Sequence, residues 1–328
     1  SDPNRKYSQS IIAAENNRIG IELRTDANIP SNETLVLAST NSIAMKENSI
    51  AMYVKGKNLY TEGDISVGKN SVAVFGEDNI NDTSGTSNTE LRVGSIIKLN
   101  GDNSVGVYYK ASGGHASGVE YTMIMKDETK YENLKAIFIY SDYNLSDLGE
   151  LARNSREITL LGNKAIGMYG TGAGDFSLSN GILGKITIGD SADRNNPSIG
   201  MYANGEKIEI QNRSRIKVGK NSVAMIKNNV TGTPDTTKPQ VFNDTGAVIE
   251  LAGDGAVGMV LGENVSGKNK GTIKTVAKSD GTMPTGVIGL IIGKGARFTN
   301  AGGTIEINSP GGAAFLKHGE GVIENKGT

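Results

Sequence analysis

Few side chains in this sequence are placed to do chemistry. Cysteine is absent and histidine occurs twice, which excludes disulfides, thiolate nucleophiles and thiolate metal sites. His115 and His318 stand in Gly-rich surroundings with no second ligand or triad partner nearby, and read as surface histidines. "GTGAGD" (170–175) lacks the sixth-position glycine of a dinucleotide loop, and no βαβ pattern surrounds it. "DYNLSDLGE" (142–150) begins like a calcium loop, but its glycine has the wrong offset and Arg153 stands where a bidentate Glu is needed. The nearest thing to a catalytic cluster is Asp190, Asp193 and Arg194 in one broken corner. Carboxylates beside a guanidinium suit cleavage of an acidic polysaccharide, yet carboxylates at corners are usually solvated charges. The expectation is a chain with no catalytic residue, no cofactor and no metal.

Composition narrows the classes further. Of 328 residues 44 are Gly and only 37% are hydrophobic, too little for a membrane protein or a thick helical core. A thin, turn-rich architecture fits better, with Gly supplying positive φ at corners. A net charge of −1 gives no general attraction to nucleic acid or anionic lipid. No apolar run reaches the length of a transmembrane helix, and the polar start "SDPNRKYSQS" shows no signal peptide. Either a mature fragment or a cytosolic protein is expected from that start.

The elements that would position any site repeat along the chain. "NSIAMK" (41–46) recurs as "NSIAMY" (48–53), "NSVAVF" (70–75), "NSVGVY" (103–108), "KAIGMY" (164–169), "PSIGMY" (197–202), "NSVAMI" (221–226), "GAVGMV" (255–260), "GVIGLI" (286–291) and "GGAAFL" (311–316). The small residues at its fourth position are spaced by 7, 22, 33, 61, 33, 24, 34, 31 and 25 residues. A unit of about 22 to 25 residues with insertions is a solenoid period. A second strand precedes most cores, as in "ITLLG" (158–162), "IKVGK" (216–220) and "IELAG" (249–253), with apolar and polar residues alternating. A third element appears in "NKGTI" (269–273), "NAGGTI" (300–305) and "ENKGT" (324–328). One such coil cannot bury its own apolar face, whereas a stack buries a continuous column. Asn70 and Asn221 are expected at left-handed corners, with Asn side chains hydrogen-bonding up the stack.

Alternation within the core places Val/Ile and Met inward, and Ser, Ala/Gly and the final aromatic outward. Tyr53, Phe75, Tyr108, Tyr169 and Tyr202 would then form an external row, either an adhesive surface or a cover for neighbouring small residues. The period breaks between 111 and 156. There "YTMIM" and "KAIFIYSDY" read as two strands and "SDLGELARNS" as a short capped helix. This gives a division into an N-terminal segment (1–18), coils (19–110), a small α+β insertion (111–156) and further coils (157–328). The insertion gathers Tyr121, Tyr131, Tyr140 and Tyr143 and is a candidate recognition surface on a rigid scaffold. The stretch 227–240, with Pro234 and Pro239, reads as a solvated loop.

Taken as a set, "IKVGKNSVAMI", "SIGMYANG" and "NKGTI" resemble the passenger regions of the very large type V autotransporter adhesins of fusobacteria and their relatives. The resemblance covers most of the chain from Ile19 to Thr328 outside the insertion. It implies an all-β, right-handed parallel β-helix (solenoid) on the bacterial cell surface, attaching to a protein or glycan of host cells or other bacteria. It also implies anchoring by a C-terminal outer-membrane barrel not present in this sequence, and a monomer within a longer chain with no membrane insertion of its own. The alternatives are a structural stalk, a trimeric head sharing "NSVA" turns, and a glycan-cleaving β-helix.

Overall fold

In the computed structural model the described residues are 6–7, 11–12, 16–24, 35–39, 42–55, 59–77, 89–111, 116–121, 124–127, 131–141 and 150–328. Among them there is no helix. All strand pairs are parallel, in one 11-stranded sheet and one 21-stranded sheet. Each coil contributes a strand to the 11-stranded motif sheet, such as Ile166–Gly172, and then two to the larger sheet, such as Ser177–Asn180 and Lys185–Ile188. In the early coils the last two run together without a corner, as in Leu59–Val67 and Thr89–Leu99, each spanning both faces. The chain is therefore a parallel β-helix. Successive coils are separated by the ordinary inter-strand distance, so eleven of them form a column about 50 Å long.

The core is a continuous stack of matching residues. Met168, Met201, Met225 and Met259 pair in register and are fully buried. Ile158, Ile186, Ile216, Ile249 and Ile273 form a second buried row. Met points in and the aromatic points out, as expected, but the rest of the motif faces otherwise. Ser and Ala/Gly are inward, while the Val/Ile before the small residue lies at the outer surface: Ser71, Ala73 and Val74 are buried, and Val72 and Phe75 are half-buried. The reason is a break in alternation. Register runs Ile50↔Val72, Met52↔Val74, Tyr53↔Phe75 and skips the small residue, so two consecutive side chains face the core. The small residue lies under the next coil's backbone. A Cβ on Gly200 would come 2.5 Å from the Ala224 carbonyl oxygen, and one on Gly106 would come 2.6 Å from that of Ala136. Motif serines turn in because they satisfy carbonyls of the preceding corner, as Ser222 Oγ does for Gly189 O at 2.8 Å.

Two asparagine ladders hold the corners. Asn48, Asn70 and Asn103 have φ between 53° and 57°, and their amides bond at 3.1 and 3.2 Å on the surface, as the sequence predicts. Asn221 also has positive φ, but its amide donates to Ser191 O, because Pro197 and Gly255 occupy the adjacent corners. The longer ladder is internal. Asn154, Asn180, Asn212, Asn243, Asn269 and Asn300 are all 0% exposed. Each Nδ2 donates to the next Oδ1 at 2.8–2.9 Å, ending on Asn325. This ladder turns the chain between the two faces of the larger sheet and satisfies carbonyls that the corner would otherwise orphan.

The segment 111–156 is a correction. Its strand Lys135–Ser141 pairs with Val105–Ala111 on one side and Ile166–Gly172 on the other. Ala116–Tyr121 and Ile124–Asp127 lie in the larger sheet. Where the helix is expected, Glu150–Asn154 is a strand; 142–149 lie outside the described residues. The segment supplies a coil, with Ala136 as the missing small residue that divides the 61-residue step. Atypical residues hide the match. "NLKAIFIY" replaces the motif Ser by Leu134 and the outer Val by Lys135, and Asp127 takes an inward place in register with Leu160.

Candidate binding groove and the aromatic row

The external row exists and is longer than the sequence reading. Phe138 fills its gap, giving Tyr53, Phe75, Tyr108, Phe138, Tyr169 and Tyr202 with successive centroids 5.4, 4.8, 4.8, 4.8 and 5.1 Å apart. All but one of these pairs are stacked within 27° of parallel. The faces of the four inner rings are therefore turned to neighbouring rings. Arg24 covers the Tyr53 ring at 5.6 Å, and Lys135 lies 5.2 and 5.5 Å from the Phe138 and Tyr169 rings. The Tyr53 hydroxyl donates to Glu77 at 2.6 Å. Burial, then that bond and the Glu77 charge, push its pKa up to about 12. Burial likewise raises Tyr202, whose oxygen accepts from Asn228 at 2.8 Å, and lowers Lys135.

A ligand that stacks on an aromatic face finds little left here, so the row acts as an external brace of the motif sheet. Replacing Tyr108, which stacks on both sides, by Leu is expected to cost about 1–3 kcal/mol from two lost ring pairs. Chemical denaturation measures this, and unchanged cell attachment by the same variant separates bracing from recognition.

The remaining sequence candidates disperse. Tyr131 is half-buried against the core beside Gly162, and Tyr140 is half-buried in register with Lys110 and Thr171. Tyr121 sits in strand register with Val93 and Asn154, whereas Tyr143 and His115 lie outside the described residues. His318 is exposed, its backbone N–H bonding Ile292 O. Asp190 accepts from Lys220 N at 2.6 Å, and Asp193 from Asn196 Nδ2 at 2.7 Å and Asn195 N at 2.8 Å. These bonds, the Asn196 one first, hold the Asp193 carboxyl below its usual range. The Asp193 carboxylate is thus spent on its own turn and the Asp190 carboxylate on the corner of the next coil, with Arg194 exposed. No cluster of three or more His, Cys, Asp or Glu suited to a metal occurs among the described residues.

The stretch expected as a solvated loop borders the concavity of note. Residues 228–240 are tied down: Val230 is buried, Thr231 N donates to Glu206 Oε2 at 2.8 Å, and Gln240 Nε2 donates to Glu206 O at 2.9 Å. Asp235 Oδ1 accepts from Thr237 Oγ1 at 2.6 Å and Thr237 N at 2.8 Å, which lowers the Asp235 pKa. The loop walls two adjoining grooves of about 470 Å³ each against the outer surface of the larger sheet. Both contain Asp175, Glu209 and Lys238; the first adds Gln211, Phe242, Lys268 and Lys270, the second Glu206, Lys207 and Asp235. Burial, then the Asp175 carboxylate, raises the Glu209 pKa, with Lys238 opposing. Lys270 Nζ lies 6.0 Å from the Phe242 centroid. Sequence spacing could not show this, because the lining residues come from successive coils.

A family model described as the BigA third pectate lyase-like domain matches residues 226–328. No curated protein and no solved structure matches the chain. The match covers less than a third of the length and agrees with the coil geometry over the residues it spans. The chain is an all-β, pectate lyase-like parallel β-helix, with a C-terminal part similar to a domain that points to a bacterial surface protein.

Proposed function

We propose that this chain is a non-catalytic segment of a bacterial surface adhesin, part of a longer autotransporter passenger attaching to host cells or other bacteria. Its partner would be a surface protein or glycan, and a barrel outside this sequence would anchor the passenger in the outer membrane. The observation that carries the reading is a long coil stack with one tethered loop walling an open groove on its flank. Such a column extends a recognition surface away from a cell while each coil needs only its neighbours for stability. The candidate corner carboxylates cap turns, and the aromatic row braces a sheet, so neither supplies a reacting constellation. We expect a single chain of 34.4 kDa in solution, because neighbouring coils of the same chain pair the described strands.

Fluorescently labelled chain, titrated onto epithelial cells and onto a panel of oral and gut bacteria, should bind saturably and be displaced by unlabelled chain. Absence of binding to all of them would assign the segment to a stalk. Release of new reducing ends from pectate, alginate or mucin glycans would assign it to an enzyme instead.

A further inference from the structure

The groove is bipolar along the column axis, and its spacing fits one kind of occupant. At one end stand Asp175 and Glu209 from consecutive coils, two carboxylates against the single Lys238 of the loop; Phe242 follows one coil later, and Lys268 and Lys270 one coil beyond that. Glu209 lies two residues along the strand from Gln211, which is in register with Phe242, and Lys270 lies two residues beyond Lys268 on the other side. With coils about 4.8 Å apart the anchors therefore run obliquely, roughly 8 Å from Glu209 to the ring and about 5 to 8 Å from the ring to the lysines. Alternate side chains of an extended peptide point the same way and are separated by about 6.6 Å. We propose that the groove binds an extended peptide segment of a partner protein, laid obliquely across the coils, with a basic, an apolar and an acidic side chain at alternate positions.

The chemistry of each anchor supports this occupant. Glu209 is half-buried beside a second carboxylate, so an incoming ammonium or guanidinium relieves both the repulsion and the lost hydration. Phe242 is half-buried and lines the groove with Lys270 Nζ 6.0 Å from its centroid, and an apolar side chain packs against the ring when Lys270 turns to a carboxylate. Lys268 and Lys270 form no ion pair with the described residues, unlike Arg215 with Glu250 and Lys326 with Glu324, and so are available for a carboxylate. Gln211, between the ends, donates its amide to Asp244 at 3.4 Å. An all-anionic saccharide would meet the lysines but be repelled by Asp175 and Glu209. The tethered loop keeps the wall in place before binding, so little ordering cost is added.

This inference rests on the chain being a binding segment, and its test is separate from cell attachment. Dye-labelled seven-residue peptides with Arg, Leu and Glu at alternate positions, spaced by Gly, are titrated into the full chain by fluorescence anisotropy. Companions carry Arg, Leu, Arg or Glu, Leu, Glu. The bipolar peptide is expected to bind at least fivefold more tightly than either companion, with the advantage shrinking in high salt. Lys268→Glu with Lys270→Glu should invert the preference toward the peptide with two arginines. Asp175→Lys with Glu209→Lys should shift it toward the peptide with two glutamates. Circular dichroism and thermal melting confirm that each variant is folded, and inversion cannot arise from misfolding. Equal binding of all three peptides, or none by any, overturns the assignment, even if the chain attaches to cells. Tighter binding of tri-galacturonate that survives Asp175→Asn with Glu209→Gln also overturns it, in favour of a saccharide.

Discussion

Replacing Asn212 by Ala is expected to destabilise the column by about 3–5 kcal/mol, the cost of several buried polar groups losing partners at once. Asn212 donates to Asn243 Oδ1 at 2.9 Å and to Ser214 O at 3.3 Å, and accepts from Asn180 Nδ2 at 2.9 Å and Ser214 N at 3.2 Å. All three asparagines are fully buried, so water cannot take over. Asn212→Asp should be no better, because it places a negative charge in a column of amides and leaves no donor for Asn243. Asn70→Ala interrupts the surface ladder, where water substitutes, and should cost less than 1 kcal/mol beyond its backbone effect. Urea denaturation measures the differences. Hydrogen exchange should show that protection lost in Asn212→Ala centres on the coils holding residues 177–251, since solenoid stability is a sum of nearest-neighbour terms. Equal effects at Asn70 and Asn212 would sink the argument.

The second large effect has the opposite sign. Lys227 fills an inward place in register with Ala203 and Leu261, is 0% exposed, and donates through Nζ to Gly205 O at 2.5 Å. Burial lowers its pKa from 10.5 to about 8, with the Glu206 carboxylate opposing. Since the folded pKa is depressed, the unfolded chain binds more protons between about pH 8 and 10.5. Stability therefore rises with pH through that window and is lowest below it. The shift corresponds to about 3 kcal/mol of penalty at neutral pH. Lys227→Met keeps the packing and removes the charge, forfeiting one hydrogen bond worth about 1 kcal/mol. It is expected to be about 1–3 kcal/mol more stable than the parent at pH 7, with the advantage gone by pH 10.5. Paired denaturation curves at both pH values decide it; a pH-independent difference would show that the ammonium carries no such penalty.

How much of this was legible depends on whether a feature lives within one coil or between coils. Repeats such as "NSVAMI" and "PSIGMY" show the solenoid, because each coil must bury the same face against its neighbours and so keeps the same apolar pattern. Positive φ at Asn70 and Asn221 was equally legible, since left-handed backbone is a local property favouring Asn and Gly. The kink at the small residue was not, because strict alternation is the default of a strand and only the carbonyl of the next coil forces the exception. Leu134, Lys135 and Asp127 concealed a coil, because the stack tolerates atypical side chains that a local pattern rejects.

The internal ladder lay in plain view in "NKGTI" and "NAGGTI", yet its burial follows from how two faces meet, which no single phrase contains. The groove was least legible of all. Asp175, Glu209, Phe242 and Lys268 are 34, 33 and 26 residues apart in order, and they become neighbours only because each coil advances the chain by one strand spacing. The coil could be read from the residues alone, since side-chain periodicity and corner chemistry are local. Which outer residues of different coils share a surface emerges in the folded column, because it follows from coil length and register.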